Sequence, residues 1–206
     1  SHAAGLTPNP CYICNRAIKW GLLLDYVLNS GAQKLASGHY AQVSIGDAGI
    51  YKLHRALDKN KDQSYVLSAL KQSQLQHAMF PLGGMHKQEV RKLARSYNFP
   101  IEDDDESQDL CFLEGQSQKE FLTRHAPGLF IPGLVKTVEG RVIGEHQGLA
   151  LFTIGQRKGI QISHSEPYYI IRKELDTNTL IIGSRASLET RGIKISHVNW
   201  IRDTEP

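Results

Sequence analysis

Asn9-Pro10-Cys11-Tyr12-Ile13-Cys14-Asn15, continued over residues 16–31 as RAIKWGLLLDYVLNSG, is the stretch on which the fold turns. Asn9 is a good helix cap and Pro10 suits the first helical position. Ile18, Leu22 and Tyr26 then recur four residues apart until Gly31 ends the run, so one long helix is predicted. Its first turn carries two cysteines at i and i+3, on one face. Unpaired N–H groups and the positive end of the helix dipole favour a thiolate there, and a thiolate attacks sulfur or binds metal. The bland alternative is two small apolar residues tucked into a core.

Working outward, Lys34 to Ser37 reads as a short strand, and Ala41 to Ile45 and Ile50 to Arg55 as a hairpin around Gly46-Asp47-Ala48-Gly49. Helices are predicted from Gln72 to Met79 and from Lys87 to Tyr97, the latter with Val90, Leu93, Ala94 and Tyr97 on one face and Pro100 as its stop. Glu102 to Ser107 lacks any apolar period and reads as a loop. Leu110 to Leu113 is a brief apolar run, and Gln118 to His125 a helix. Past Pro127 the texture changes to short strands and glycine turns: Gly133 to Val138, Arg141 to Gly144, Leu149 to Thr153, Tyr168 to Glu174 and Thr179 to Gly183. Asp176-Thr177-Asn178-Thr179 is the clearest hairpin turn, and His197 to Trp200 reads as one more strand. The order implies an α/β unit, a boundary near residues 115 to 125, and a β-rich region after it.

A chain of 206 residues, 40% hydrophobic and 22% charged, can bury a core without disulfides and is neither collagen-like, low-complexity nor disordered. No apolar run approaches the roughly 18 residues of a membrane span. Ser1-His2-Ala3-Ala4-Gly5 has neither the basic nor the apolar part of a signal peptide. The expected location is the cytoplasm, or an organelle matrix after processing, with no membrane partner. Twenty-four basic residues against twenty-one acidic ones leave +3, which permits a nucleic-acid partner without demanding one. Three cysteines, an odd number, speak for thiols kept for chemistry or metal in a reducing compartment. Cys111 invites three readings: burial in a core strand, relay of sulfur by exchange with a second thiol, or a third ligand in an iron–sulfur cluster.

Six motifs then stand in one order. They are Thr7-Pro-Asn-Pro-Cys-x-x-Cys-Asn15, Ser37-Gly-His-Tyr40, Asp58-Lys-Asn-Lys-Asp-Gln-Ser-Tyr65, Ser107-Gln-Asp-Leu-Cys-Phe112, Gly144-Glu-His-Gln-Gly148 and Thr153-Ile-Gly-Gln-Arg-Lys-Gly159. In order and spacing, over essentially the whole chain, they resemble the tRNA-specific 2-thiouridylases, ATP-pyrophosphatase relatives of the bacterial cytoplasm. The resemblance implies the C-terminal part of a nucleotide-binding α/β domain over 1–118, a small β-rich central domain over 119–190, and the first strand of a C-terminal β-barrel over 191–206. It further implies ATP, with magnesium, adenylating O2 of the wobble uridine of tRNA. Sulfur from a carrier protein or a cysteine desulfurase relay then replaces that oxygen.

Carried over position by position, Cys14 matches the first catalytic cysteine and Cys111 the one that receives the persulfide. Asn9, Pro10 and Cys11 fall where the family meets the target base, and Gly38 matches an ATP-contacting glycine. His39, Lys61, Asp62 and Gln63 match tRNA-contacting positions. Many members carry aspartate in place of Cys11; those with cysteine resemble the branch for which a [4Fe-4S] cluster is proposed, here on Cys11, Cys14 and Cys111. The family's Ser-Gly-Gly-x-Asp-Ser phosphate loop has no counterpart, and Gly155 to Gly159 is a basic turn rather than a strand-to-helix phosphate loop. The chain is therefore expected to be a piece that does not adenylate by itself.

The competing reading is a non-catalytic RNA-binding or cysteine-metal module. A relative of argininosuccinate or GMP synthetase comes third, since those have no requirement for paired cysteines. Arg16 with Lys19 and Arg157 with Lys158 read as solvated basic pairs, Asp103 to Glu106 as a solvated acidic loop, and His146 as a turn or packing residue.

Overall fold

The computed structural model describes residues 4–100, 110–113, 115–160, 162, 167–196 and 198–202. The chain forms two compact units, one of Asn9–Gln108 with Ile195–Pro206 and one of Ser1–Pro8 with Asp109–Lys194.

In the first unit the expected helix forms, as α1 (Pro10–Cys14), a π-helical stretch Asn15–Leu23, and α2 (Leu24–Asn29). Its buried side is not the expected one. Trp20 and Leu24 are 1% and 3% exposed, whereas Ile18, Leu22 and Tyr26 are 51%, 68% and 71% exposed. The two stripes are offset by two residues and so lie on roughly opposite sides of the helix. Both are apolar at a spacing of four, and only the packing of Trp20 and Leu24 against Val66, Leu67, Leu70, Leu75 and Phe80 decides between them.

Strand β1 (Leu35–Ala36) follows, then the antiparallel hairpin of β2 (Ala41–Ile45) and β3 (Tyr51–Arg55), in register from Ala41 opposite Arg55 to Ile45 opposite Tyr51. The helix expected from Gln72 to Met79 stops early, as α3 (Gln72–Leu75). Ala78–Met79 is instead strand β4, parallel to β1, because the Leu35 and Ser37 N–H groups bond the His77 and Met79 carbonyls at 2.9 and 3.0 Å. Gly83 lies so close to β2 that a Cβ there would come within 1.6 Å of the Ala41 carbonyl oxygen. Helix α4 (Lys87–Ser96) closes this unit's regular structure.

The strand expected at His197 to Trp200 is not formed over Val198–Trp200, and His197 lies outside the described residues. No described strand runs beside it. The Asn199 amide donates to the Ser68 and Leu70 carbonyls at 2.9 and 3.2 Å, and Ile201 packs on the first unit's core. The loop expected at Glu102 to Ser107 likewise lies outside the described residues.

The second unit begins its regular structure with α5 (Gln118–His125), where Ser117 and Glu120 form a reciprocal capping box. Strands β5 (Gly133–Thr137), β6 (Val142–His146), β7 (Tyr169–Glu174) and β8 (Thr179–Gly183) make one sheet in the order β6-β5-β8-β7. The hairpin turn between β7 and β8 stands where expected, with Asn178 at φ +46°. Gly133 is required by contact, since a Cβ would meet the Asn178 carbonyl oxygen at 2.0 Å. Leu149 to Thr153 is no strand. Gly148, at φ +142°, turns the chain inward, and Leu149–Leu151 coils into a 3₁₀ turn whose Leu149 joins Val135, Phe152, Ile170, Leu180 and Ile182 in the core.

Candidate active site

The first turn of α1 is built by Asn9. Its backbone is extended, at φ −110° and ψ 90°, and its side-chain oxygen accepts the Tyr12 N–H at 3.1 Å. Pro10 takes the next position, where a missing N–H costs nothing. Cys11 is exposed and Cys14 half-buried, both as free thiols one turn apart. Neither belongs to the core, so the tucked-away alternative does not hold. Directly behind them Asn15 is buried, at 2% exposure, with no partner for its side-chain oxygen among the described residues.

The loop 58–63 is folded by its own carboxylates and amide. Asp62 accepts the Ala56 N–H and the Ser64 hydroxyl, both at 2.8 Å. Gln63 and Tyr40 are doubly joined: the Gln63 N–H donates to the Tyr40 carbonyl at 2.8 Å, and the Tyr40 N–H to the Gln63 side-chain oxygen at 3.0 Å. The 3₁₀ turn Ser64–Leu67 that follows packs against α1, so the thiol pair, Tyr40 and the Lys61-Asp62-Gln63 loop belong to one local structure.

Gly38 presents an exposed backbone at the end of β1, while His39 turns inward. The His39 Nδ1 lies 2.8 Å from the Ser37 hydroxyl, and its ring stands edge-on to Phe80, which stands edge-on to Trp20. Burial, helped by the Lys19 charge, pulls its ionisation from 6.5 down to about 4, so the imidazole is neutral. The tRNA-matching position thus carries a side chain only 8% exposed.

Three residues outside the sequence-derived set belong to this structure. Asp58 accepts the Asn60 N–H at 3.1 Å and the Lys87 N–H at 3.0 Å, and the latter bond, first among the causes, holds its carboxyl below the usual carboxylate range. Lys87 sets its ammonium 5.8 Å from the centre of the Tyr40 ring. Asp58 and Tyr40 stand inside the quoted motifs; the signal for Lys87 was its place opening a helix with basic residues four apart.

Cys111 is carried by the second unit. It is exposed and opens the 3₁₀ turn Cys111–Leu113, which is anchored by buried Leu113 and by Phe112 standing edge-on to Phe121 at 5.1 Å. Of the three readings of Cys111, burial in a core strand is the one that does not hold, since the thiol lies at the surface. His146 is a packing residue: its Nδ1 accepts the Gly148 N–H at 3.0 Å and its Nε2 faces the Asn178 carbonyl at 3.1 Å. Burial lowers its ionisation. The Asp103 to Glu106 run is not among the described residues.

Within a described unit the thiols number two, Cys11 and Cys14, and among the described residues no three His, Cys, Asp or Glu side chains gather to hold a metal. No helix among the described residues is long and apolar enough to cross a membrane.

Two family models match the chain: the tRNA methyl transferase HUP domain over residues 1–115 and the tRNA methyl transferase PRC-barrel domain over residues 119–184. Among curated relatives, the tRNA-specific 2-thiouridylase MnmA of Desulfotalea psychrophila is 42% identical over 205 residues, covering 100% of this chain and 59% of that protein. The protein of the same name from Chloroflexus aurantiacus is 40% identical over 206 residues, covering 100% and 57%. That from a Bradyrhizobium strain is 42% identical over 203 residues, covering 98% and 51%. The chain thus spans between half and three-fifths of the length of these relatives.

Proposed function

The chain belongs to the family of the tRNA methyl transferase HUP domain, and from that premise we propose that it forms part of an enzyme that thiolates the wobble uridine of tRNA at C2. The family's description and the relatives' name differ in the group transferred, and the thiols favour sulfur. Three free cysteines, two exposed and one half-buried, are the observation that carries the reading. Methyl transfer has no use for a side chain that accepts and hands on a sulfur atom, whereas thiolation needs one.

In the proposed reaction ATP, with magnesium, adenylates O2 of the uridine. The terminal sulfur of a Cys111 persulfide, loaded by a carrier protein or a desulfurase relay, attacks C2 and expels AMP. The Cys14 thiolate then attacks the Cys111 sulfur, which releases 2-thiouridine and leaves a Cys14–Cys111 disulfide for a cellular thiol to reduce. No step is routed through an iron–sulfur cluster.

Gly38 offers open backbone to the nucleotide. Pro10 and Cys11 meet the base, and Asn9 works chiefly as the cap that fixes them. Lys61 takes phosphate, while Asp62 and Gln63 shape the loop that presents it. His39, buried and neutral, acts by holding Gly38 in place. The division into 1–118, 119–190 and 191–206 and a cytoplasmic location belong to the same reading.

The test supplies the full-length protein with ATP, a persulfide donor and unmodified tRNA, and digests the tRNA to nucleosides for mass spectrometry. The expected result is 2-thiouridine, with AMP formed in step. RNA binding without either product would point to the non-catalytic module.

A further inference from the structure

Helix α4 holds four basic residues, Lys87, Arg91, Lys92 and Arg95, against one acid, Glu89. That excess of three equals the formal charge of the entire chain, +3, gathered into ten residues. The acid is already committed, its carboxylate accepting the His86 N–H at 2.7 Å in the helix's capping box. Lys87, Arg91 and Arg95 stand four apart along one side, about 6 Å per step of the axis. Such a row runs at a pitch comparable to successive phosphates on one strand.

This row is tied rigidly to the Lys61-Asp62-Gln63 loop. The Lys87 N–H is bound by Asp58, at the start of that loop, and its ammonium lies over the ring of Tyr40. The Tyr40 backbone is in turn bonded twice to Gln63. Arg91 is near enough to Tyr40 for its charge to act on the phenol. Lys87 and Arg91 are half-buried, and an ammonium already held over an aromatic ring has little freedom left to lose on binding.

We propose that the Lys87–Arg91 side of α4 is an RNA-backbone contact surface, continuous with the Lys61–Gln63 loop, that seats tRNA phosphates. The inference rests on the tRNA reading above and adds the surface by which the substrate is held. The surface fixes the RNA's position and reads no bases.

The test uses the full-length protein and titrates a tRNA anticodon stem-loop at a series of salt concentrations, with Lys87→Gln, Arg91→Gln and the double variant. Each neutralisation should weaken binding of uridine-34 and non-uridine-34 stem-loops alike. It should also reduce the slope of log affinity against log salt by about 0.7 to 0.9 per contact removed. Arg91→Lys should keep the wild-type slope, which separates lost charge from disturbed folding. An unchanged slope in the double variant overturns the surface, as does weakened binding of an acidic carrier protein with RNA binding intact. A wild-type protein that binds the stem-loop through these residues but forms no 2-thiouridine overturns the thiolation reading and leaves the surface standing.

Discussion

Asp58 and Lys87 are joined by one hydrogen bond, from the Lys87 backbone N–H to the Asp58 carboxylate at 3.0 Å. The bond places a negative group at the start of α4, where unpaired N–H groups and the helix dipole reward it. It also makes the loop 58–63 and the helix a single piece.

Asp58→Asn should therefore lower the melting temperature by a few degrees while keeping the fold. The carboxyl is held below its ordinary range, so its stabilisation is present above the unfolded carboxylate value and is lost as pH falls through the folded one. Melting curves from pH 7 to 3 should show the variant losing less stability on acidification than the wild type.

Cys14→Ser and Cys111→Ser, each in the full-length protein, should abolish 2-thiouridine formation and leave melting temperature and tRNA affinity nearly unchanged. Each sulfur is needed covalently, and both side chains lie outside the cores. Cys11→Ala should lower the rate without abolishing it, with no change in iron content after anaerobic reconstitution. Full activity from the Cys14 or Cys111 variant, or a cluster lost with Cys11, would overturn these roles.

His39 gives a pH dependence of defined sign. Its folded ionisation lies near 4 against an ordinary 6.5, so the unfolded chain takes up the proton first as pH falls. Its contribution to stability is complete above 6.5, declines between 6.5 and about 4, and levels off below that. His146, also lowered by burial, acts in the same direction in the other unit. Urea unfolding at pH 7, 6, 5 and 4 should show a shallower decline in His39→Gln than in the wild type, and a shallower one still in His39→Gln with His146→Gln.

Gly83→Ala should be among the most damaging single changes in the chain. The added methyl would come within 1.6 Å of the Ala41 carbonyl oxygen and 2.6 Å of its carbon, strand backbone that no side-chain rotation can move aside. Circular dichroism should show loss of the cooperative melt, whereas Gly84→Ala, with open space at that position, should melt like the wild type.

Local signals made α5, β8 and the β7–β8 hairpin legible in the sequence, because each carries its own: a capping box, an apolar run, an asparagine at the turn. The cysteine pair was legible for the same reason, since Asn9 and Pro10 announce a helix start. What escaped depends on partners distant in sequence. Nothing near Ile18 says that Trp20 faces Phe80, and nothing in Gln72 to Met79 says that Ser37 waits for the Met79 carbonyl. The part played by Asp58, Tyr40 and Lys87 is likewise a matter of three segments meeting.

The π-helical stretch Asn15–Leu23 works as a register shim between the thiols and the tryptophan that anchors the helix. Its bonds reach one residue further than an α-helix's, and Gly21 accommodates the result: a Cβ there would press on the Arg16 carbonyl oxygen, five residues back, at 3.2 Å. Forcing this stretch into ordinary α winding at unchanged length would swing Cys11 and Cys14 around the helix axis relative to Trp20 with no side chain of the motif altered. The winding from Cys14 to Trp20 is thus as much a determinant of where the sulfurs point as the cysteines themselves.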